Sequence, residues 1–246
     1  MGPRFIKHHG RFYSFNLMDV YTHRAKTNPI RTKQDHQVAQ ALVESWKRLG
    51  VPEYLQIDNE LSFRGSNRFP RSFGLVIRLC FYFHVVPIFI PIQEPWRNGE
   101  IERFQDVFDK MFFRSQFFTS FEHLCQEAEK FDGYHNQNHV YSCLKGKTPN
   151  HALGDYQIEK VPEGFKIPSK QRLKKEDGEI HLVRFIRSDR VLNVFGEKFM
   201  VSPDLVYEYV VATISTEAHV IHLYHNDKWV QYFDYSIPLD LGLPMS

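Results

Sequence analysis

The alternation of strand and helix patterns constrains the fold of this chain more than any other feature. Between residues 11 and 90 the order is strand, strand, helix, strand, helix, strand. The first helix is well marked, because apolar residues recur at helical spacing from Val38 to Leu49, Asp35 can cap it and Gly50 ends it. This order predicts an α/β fold in which helices flank a mixed sheet.

The boundaries of the other elements follow from the same patterns. The predicted strands cover residues 2–7, 11–20, 26–30, 54–58 and 85–90. The predicted helices cover residues 35–49 and 72–83, a segment that begins at Asn98-Gly99, and residues 121–134.

The character of the sequence changes after Lys160. Prolines and a glycine mark a linker there, and it carries a run of basic residues: Lys166, Lys170, Arg172, Lys174 and Lys175. Short strand patterns separated by turns follow at residues 180–187, 190–195, 199–201, 206–214, 220–224 and 229–233. They predict a small all-β barrel of SH3-like size. We therefore expect an α/β core over residues 1–155, a basic linker over 156–176 and a barrel over 177–240.

The net charge of +2 conceals an uneven distribution of basic residues. Residues 1–78 contain 13 Lys and Arg but only 6 Asp and Glu. Such an excess predicts a polyanionic partner, and a solvated basic surface is the alternative.

The cysteines and the apolar segments indicate the compartment. The 3 cysteines form no CxxC pair, which argues against a zinc site or a disulfide framework and favours a reducing environment. No signal peptide is recognised at Met1, and the most apolar stretch, residues 75–92, contains Arg78 and two prolines. We interpret that stretch as buried core and expect a cytoplasmic protein without a membrane span.

Two acidic residues stand out by their positions. Asp58 follows an apolar strand and precedes Asn59, and Glu102 lies one turn into the helix that begins at Asn98-Gly99. In α/β sheets the carboxyl ends of strands and nearby helix starts converge on one crevice. Carboxylates meeting there could hold a pair of Mg²⁺ or Mn²⁺ ions for phosphoryl transfer. A turn-forming or capping role for Asp58 is the alternative.

Four segments carry a resemblance to a known family. They are Phe15–Asp19 with His23-Arg24; Leu49–Pro52 with Ile57–Asn59 and Phe63; Pro91 with Pro95 and Asn98–Phe104; and Gly146–Pro149. Through them, residues 2–153 resemble the retroviral-integrase-like catalytic core of the DDE transposases of bacterial insertion sequences. The third segment is the most specific, because the family's Asn-Gly-x-x-Glu-Arg has the same position. The C-terminal section resembles the small β-barrel of Mu-transposase-like proteins.

The resemblance implies an RNase H-like core and a metal-dependent reaction on DNA. Water would free a transposon 3′-OH, which would then attack target DNA. Asp58 matches the family's second catalytic acid and Glu102 its third, and an intact member would hold two Mg²⁺ or Mn²⁺ ions. Asn59, Asn98 and Gly99 would support the acids. The resemblance also implies a homo-oligomer that binds transposon ends and target DNA, nucleoid-associated when bound.

The family's first catalytic acid has no clear counterpart in this sequence. In the family it precedes a Gly-Pro pair by a few residues, so it would fall before Met1, and we expect an N-terminally truncated chain that is inactive or nearly so in strand transfer. Asp19 is a weaker substitute, because it matches an acid at the end of the second strand. The alternatives are a catalytically inactive DNA-binding remnant or regulator, and a nuclease of the same fold.

Further basic residues are candidates for DNA contacts. The basic linker could follow phosphates, as could Arg97 and Arg103, which lie on either side of Glu102. A solvated linker and simple charge balance are the alternatives. His8-His9 is interpreted as a hairpin turn rather than a metal-binding pair.

Overall fold

A computed structural model describes residues 2–65, 71–91, 94, 99–168, 173 and 177–238. The chain divides into two compact units, each discontinuous in sequence. The first consists of residues 1–51 and 98–165, and the second of residues 52–97 and 166–246. The expected domain boundaries at residues 155 and 176 stay predictions.

The elements occur in the following order along the chain. The strands are β1 (Pro3–Ile6), β2 (Gly10–Met18), β3 (Ala25–Ile30), β4 (Tyr54–Ile57), β5 (Val86–Phe89), β6 (Glu179–Phe185), β7 (Val191–Val194), β8 (Glu197–Met200), β9 (Tyr209–Ser215), β10 (Val220–His225) and β11 (Lys228–Asp234). The helices are α1 (Asp35–Leu49), α2 (Leu61–Arg64), α3 (Leu75–Tyr82), α4 (Gly99–Phe108), α5 (Phe121–Asn138) and α6 (Pro149–Leu153), with a π-helical turn at Asp109–Phe113 and a 3₁₀ turn at Pro203–Leu205.

The first unit contains an antiparallel sheet in the order β1-β2-β3. Helix α1 contacts β2 and β3, and α5 contacts β3. The apolar residues that predicted α1 are buried, and Gly50 ends the helix with a φ of 103° that favours glycine. Asp35 was expected to cap this helix, but Gln34 occupies the N-cap position and Asp35 is the first helical residue.

Phenylalanine dominates the core of the first unit. The buried rings are those of Phe12, Phe104, Phe108, Phe112, Phe118 and Phe131. Arg4 on β1 ties the sheet to the helix above it, since its guanidinium donates to Asp109 at 2.9 Å and to Gln105 at 2.9 Å. The aromatic residues, which are 15% of the chain, thus provide much of the packing under α4.

Polar contacts fix α5 against β3. The Lys26 ammonium lies 3.1 Å from the Asp132 carboxylate, which also accepts from the Thr27 amide at 2.9 Å. The Asn136 side chain bonds both the N–H and the C=O of Ala25, at 2.8 and 2.9 Å. Burial raises the pKa of Asp132 to about 6, against the opposing effect of Lys26.

The second unit contains a mixed sheet in the order β11-β10-β9-β6-β5-β4. Strands β4, β5 and β6 run parallel, and β6, β9, β10 and β11 pair antiparallel. Helix α3 contacts β5 and is buried from Leu75 to Phe81. The predicted α/β class, a mixed sheet with flanking helices, is confirmed.

The predicted C-terminal barrel is not confirmed. All six strand segments form, but β6 pairs with β5 through Ile88 opposite His181 and Phe89 opposite Leu182. Most of the C-terminal strands therefore extend the sheet of β4 and β5, while β7 and β8 form a separate hairpin. A strand pattern predicts which residues are extended and which face is buried, but it does not predict which strand pairs with it.

None of the described helices is long and apolar enough to cross a bilayer.

We predict that His135 makes the first unit sensitive to acid. Burial lowers its pKa to about 4, so the folded protein keeps it neutral while the unfolded chain protonates it below about pH 6.5. Its contribution is therefore present above pH 6.5 and is lost as the pH falls toward 4. Between pH 7 and pH 5 the free energy of unfolding should fall by about 2 kcal/mol more in the wild type than in His135→Gln.

Urea denaturation at the two pH values measures this difference. The exposed His151 gives the control, since His151→Gln should keep the pH dependence of the wild type. An equal pH dependence in the wild type and His135→Gln would contradict the prediction. Asp132 titrates in all three proteins and does not affect the comparison.

Candidate active site

Asp58 lies directly after β4, at the carboxyl end of a strand that is parallel to β5. One carboxylate oxygen accepts a hydrogen bond from the Glu60 amide at 2.9 Å, which closes a turn before α2. Within the described residues no hydrogen bond reaches the second oxygen. Asp58 therefore forms a turn, as the alternative interpretation of the sequence expected, and its second carboxylate oxygen is still available to a ligand.

Asn59 joins the ends of neighbouring strands. Its amide nitrogen donates to the carbonyl of Ile90 at 2.7 Å, and its amide oxygen accepts from the Arg184 guanidinium at 2.7 Å. The carbonyl of Asn59 also accepts from Arg64 at 3.1 Å. These bonds hold the residue next to Asp58 on three sides.

Arg184 is a buried cation on β6, with only 4% of its surface exposed. Besides Asn59 it donates to the carbonyls of Ile90 (3.1 Å), Val183 (2.8 Å) and Asn193 (3.0 Å). No carboxylate pairs with it in the part of the chain that the structure describes. Burial lowers the pKa of Arg184 to about 10, with a smaller contribution from the neighbouring Arg64, so it is charged at neutral pH.

Sequence reasoning missed Arg184, although the sequence contained a sign of it. Ile180 and Leu182 alternate along β6, Ile186 follows it directly, and all three are fully buried; Arg184 occupies the same face. An arginine on the buried face of a strand needs several acceptors, because an unsatisfied buried charge is costly. The alternation therefore indicated that Arg184 is buried and is hydrogen-bonded to several acceptors.

Glu102 belongs to the first unit. It lies on α4, which begins at Gly99 and buries Phe104 and Phe108 one turn apart. Its side chain is exposed and makes no hydrogen bond or ion pair with any described residue. Glu102 is thus a free carboxylate on a helix that is fixed by the aromatic core.

Glu100, two residues earlier, has partners. One of its carboxylate oxygens lies 4.0 Å from Nδ1 of His23, and its carboxylate accepts from Arg103 at 3.4 Å. The Arg103 side chain is 65% exposed. The two glutamates at the start of α4 therefore differ, since one is engaged within its unit and the other is not.

Asp19 lies in a closed turn between β2 and β3. One carboxylate oxygen accepts from the Tyr21 amide at 3.0 Å and the other from the Thr22 hydroxyl. Its backbone bonds His23 and Arg24 at 2.8 and 2.9 Å. Both oxygens are engaged in the turn, unlike those of Asp58 and Glu102.

The remaining candidates from the sequence are basic residues and the His8-His9 pair. Lys166 is exposed. Arg97, Asn98, Lys170, Arg172, Lys174 and Lys175 lie outside the described residues. His8 and His9 lie in the turn between β1 and β2, and both are exposed. Across the described ranges, no group of three or more His, Cys, Asp or Glu side chains is placed to hold a metal ion.

Three solved structures show a partial likeness to this chain. The HTLV-2 integrase catalytic core domain in complex with magnesium, in its trimeric form, has 15% identity and a TM-score of 0.46 over 61% of this chain and 90% of that chain. The dimeric form has 16% identity and a TM-score of 0.44 over 60% and 88%. A simian T-cell lymphotropic virus intasome in complex with PP2A regulatory subunit B56 gamma has 12% identity and a TM-score of 0.49 over 86% and 69%.

No protein-family model and no curated protein matches the chain. The residues of the site are therefore what indicates the function.

We predict that Asn59 stabilises the second unit through its bonds to Arg184 and Ile90. Asn59→Ala should lower the free energy of unfolding by about 2 kcal/mol, because a buried guanidinium loses an acceptor and a buried carbonyl loses a donor. Urea denaturation measures the change.

The exposed Asn150 provides a matched control. Its amide bonds only the Gln137 side chain, at 3.0 Å, among the described residues. Asn150→Ala should change the free energy of unfolding by less than about 0.5 kcal/mol. If Asn59→Ala were equally mild, the contacts of Asn59 would not stabilise the fold.

Proposed function

We propose that this chain is a transposase- or integrase-type protein that acts on DNA by metal-dependent phosphoryl transfer, with Asp58 and Glu102 as metal-ligating acids. One observation carries the proposal. The two acids selected by the family resemblance keep carboxylate oxygens free, whereas Asp19 and Glu100 are engaged within the first unit. A carboxylate oxygen that is not bonded within the protein is available to a metal ion, and a packed element sets the position of its backbone.

The chemistry of these donors fits Mg²⁺ or Mn²⁺. Both ions prefer oxygen ligands, and both candidates are carboxylates. A pair of such ions stabilises the attacking and the leaving oxygens of an in-line displacement at phosphorus. No nucleophilic side chain is needed, since the nucleophiles proposed are water and a DNA 3′-OH.

The protein's own contribution is to hold the acids in place. Asp58 follows a buried strand, and the residue beside it is held by Arg184 and Ile90. Glu102 lies on a helix anchored by Phe104 and Phe108. The backbone positions of both acids are therefore set before a cation binds, and only the side chains have to be ordered by it.

The partners follow from the same proposal. The substrate would be DNA, both transposon ends and target, and a homo-oligomer would bring two ends together. Lys166 and Arg103 are exposed, and Lys166 is available to phosphates, whereas Arg103 would have to exchange its contact with Glu100 for one. A DNA-binding role for the C-terminal strands and an origin in a bacterial insertion sequence belong to the proposal as well.

One observation favours a second candidate, a catalytically inactive DNA-binding protein. The described residues contain two free acids from the family's set of three, since both oxygens of Asp19 are occupied in its turn. A site with two carboxylates would bind one cation weakly and stabilise the transition state less.

Nicking of supercoiled plasmid in Mn²⁺ tests the first candidate. Asp58→Asn and Glu102→Gln should each lower the nicking rate roughly 100-fold, because each removes a charged metal ligand. Glu100→Gln is the matched control, one acid removed two residues away, and should stay within about two-fold of the wild type. Mn²⁺ titration followed by electron paramagnetic resonance should show weaker binding in the first two variants only.

The outcomes separate the two candidates. Nicking that persists in both acid variants would overturn the assignment of Asp58 and Glu102. DNA binding without any nicking by the wild type would favour the inactive DNA-binding protein.

A further inference from the structure

The basic N-terminal segment contains two kinds of cation. Residues 2–33 hold seven basic residues and a single acid, Asp19. Four of the seven are used inside the unit. Arg4 pairs with Asp109 at 2.9 Å, Lys26 with Asp132 at 3.1 Å and Arg31 with Glu122 at 3.2 Å, and Arg24 donates to the carbonyl of Arg48 at 2.8 Å.

A second group contains Lys7, Arg11 and Lys33 together with two aromatic rings. We call this group the hairpin patch: Phe5, Lys7, Arg11, Tyr13 and Lys33. The Arg11 guanidinium lies 5.5 Å from the centroid of the Tyr13 ring, and the Lys33 ammonium lies 5.1 Å from it. Phe5 is directly opposite Arg11 in the pairing of β1 with β2, so both side chains are on one face.

The hairpin patch is open to solvent. Phe5 is 68% exposed, which is unusual for a phenylalanine, and Lys7 and Arg11 are exposed as well. Over the described ranges neither Lys7 nor Arg11 has an acidic partner. Lys7 and Arg11 therefore offer uncompensated positive charge close to an exposed ring.

The patch is also firmly anchored. Ile6 and Phe12, which alternate with its members along the hairpin, are buried at 5% and 0% exposure. The turn is tight, with the His9 amide bonded to the carbonyl of Ile6 at 3.0 Å and positive φ values at His8 (65°) and Gly10 (87°). A ligand would meet cations whose backbone positions are already set.

We propose that the hairpin patch binds DNA, with Lys7 and Arg11 on backbone phosphates and Phe5 against the apolar sugar and base surface. The inference rests on the proposed function, which supplies DNA as the substrate. Charge complementarity carries it, because phosphate contacts from lysine and arginine supply most of the affinity for nucleic acid. An exposed aromatic ring among such cations adds contacts that do not depend on charge.

The two parts of the patch should respond differently to salt. The experiment follows binding of the full chain to a fluorescent 30-base-pair duplex by anisotropy, between about 50 and 300 mM KCl. The double variant Lys7→Gln/Arg11→Gln should bind roughly ten-fold more weakly near 150 mM, and its salt slope should be shallower by about two. Phe5→Ala should bind roughly five-fold more weakly with an unchanged slope.

Controls separate the patch from net charge and from folding. Lys145→Gln/Lys160→Gln removes two exposed lysines of the same unit and should keep the affinity and slope of the wild type to within about two-fold. Thermal melting of each variant tests folding. Lys7→Gln alone, in the turn, supplies a milder variant with a slope shallower by about one.

Each outcome decides a different claim. If the patch and control double variants lost equal DNA affinity, the DNA-binding role of the hairpin patch would be wrong. The proposed function would still stand, because the nicking assay tests Asp58 and Glu102 independently. If Phe5→Ala bound DNA with the affinity of the wild type, the proposed contact between Phe5 and DNA would be wrong. A wild type that binds no DNA would overturn both the patch and the proposed function.

Discussion

The second unit depends on a buried charge at the junction of three parallel strands. The Arg184 guanidinium on β6 reaches the end of β5 at Ile90 and the residue after β4 at Asn59. Its acceptors are neutral oxygens, so the cation is solvated by the ends of the strands instead of by water. Removing such a charge from water is expensive, and it is tolerated only where every donor finds an acceptor in good geometry. Those bonds fix the chain just after the end of β4, where Asp58 lies. The position of this candidate ligand therefore depends on the pairing of β5 with β6.

The first unit solves the same problem by different means. Glu102 has no polar partner among the described residues, and its position follows from the Phe104 and Phe108 side chains beneath it. Helix α5, which adds Phe131 to the same core, is in turn fixed to β3 by Lys26, Asp132 and Asn136. Close packing of large rings leaves a helix few alternative positions, because side chains in a core interdigitate at crystal-like density. The backbone of an acid on the exposed side of such a helix is therefore fixed, while its side chain remains free to turn toward a ligand.

Local pattern predicted most elements, and its failures have physical causes. The apolar spacing of α1 and the alternation in β6 and β9 are properties of single segments, so both were visible in the sequence. The pairing of β6 with β5 joins residues more than 90 positions apart, and no local pattern encodes it. The same distance concealed the role of Arg184, whose partner Asn59 was recognised only as a neighbour of Asp58. The prediction that Asp35 caps α1 was wrong by one residue, and helix starts are commonly uncertain by one or two residues.

Composition alone could not separate structural charges from available ones. The basic excess of the N-terminal segment is largely used inside the first unit, where Arg4 meets an acid of the π-helical turn after α4, and Lys26 and Arg31 meet acids of α5. Within residues 2–33, Lys7 and Arg11 are exposed and have no acidic partner among the described residues. Glu102 and one oxygen of Asp58 are likewise without a partner there. A group that its own fold has already neutralised gains little from an external partner, since it must first break an internal contact. The groups that the fold leaves unsatisfied are free of that cost. Their positions, rather than the net charge of +2, indicate where a cation or a phosphate would bind.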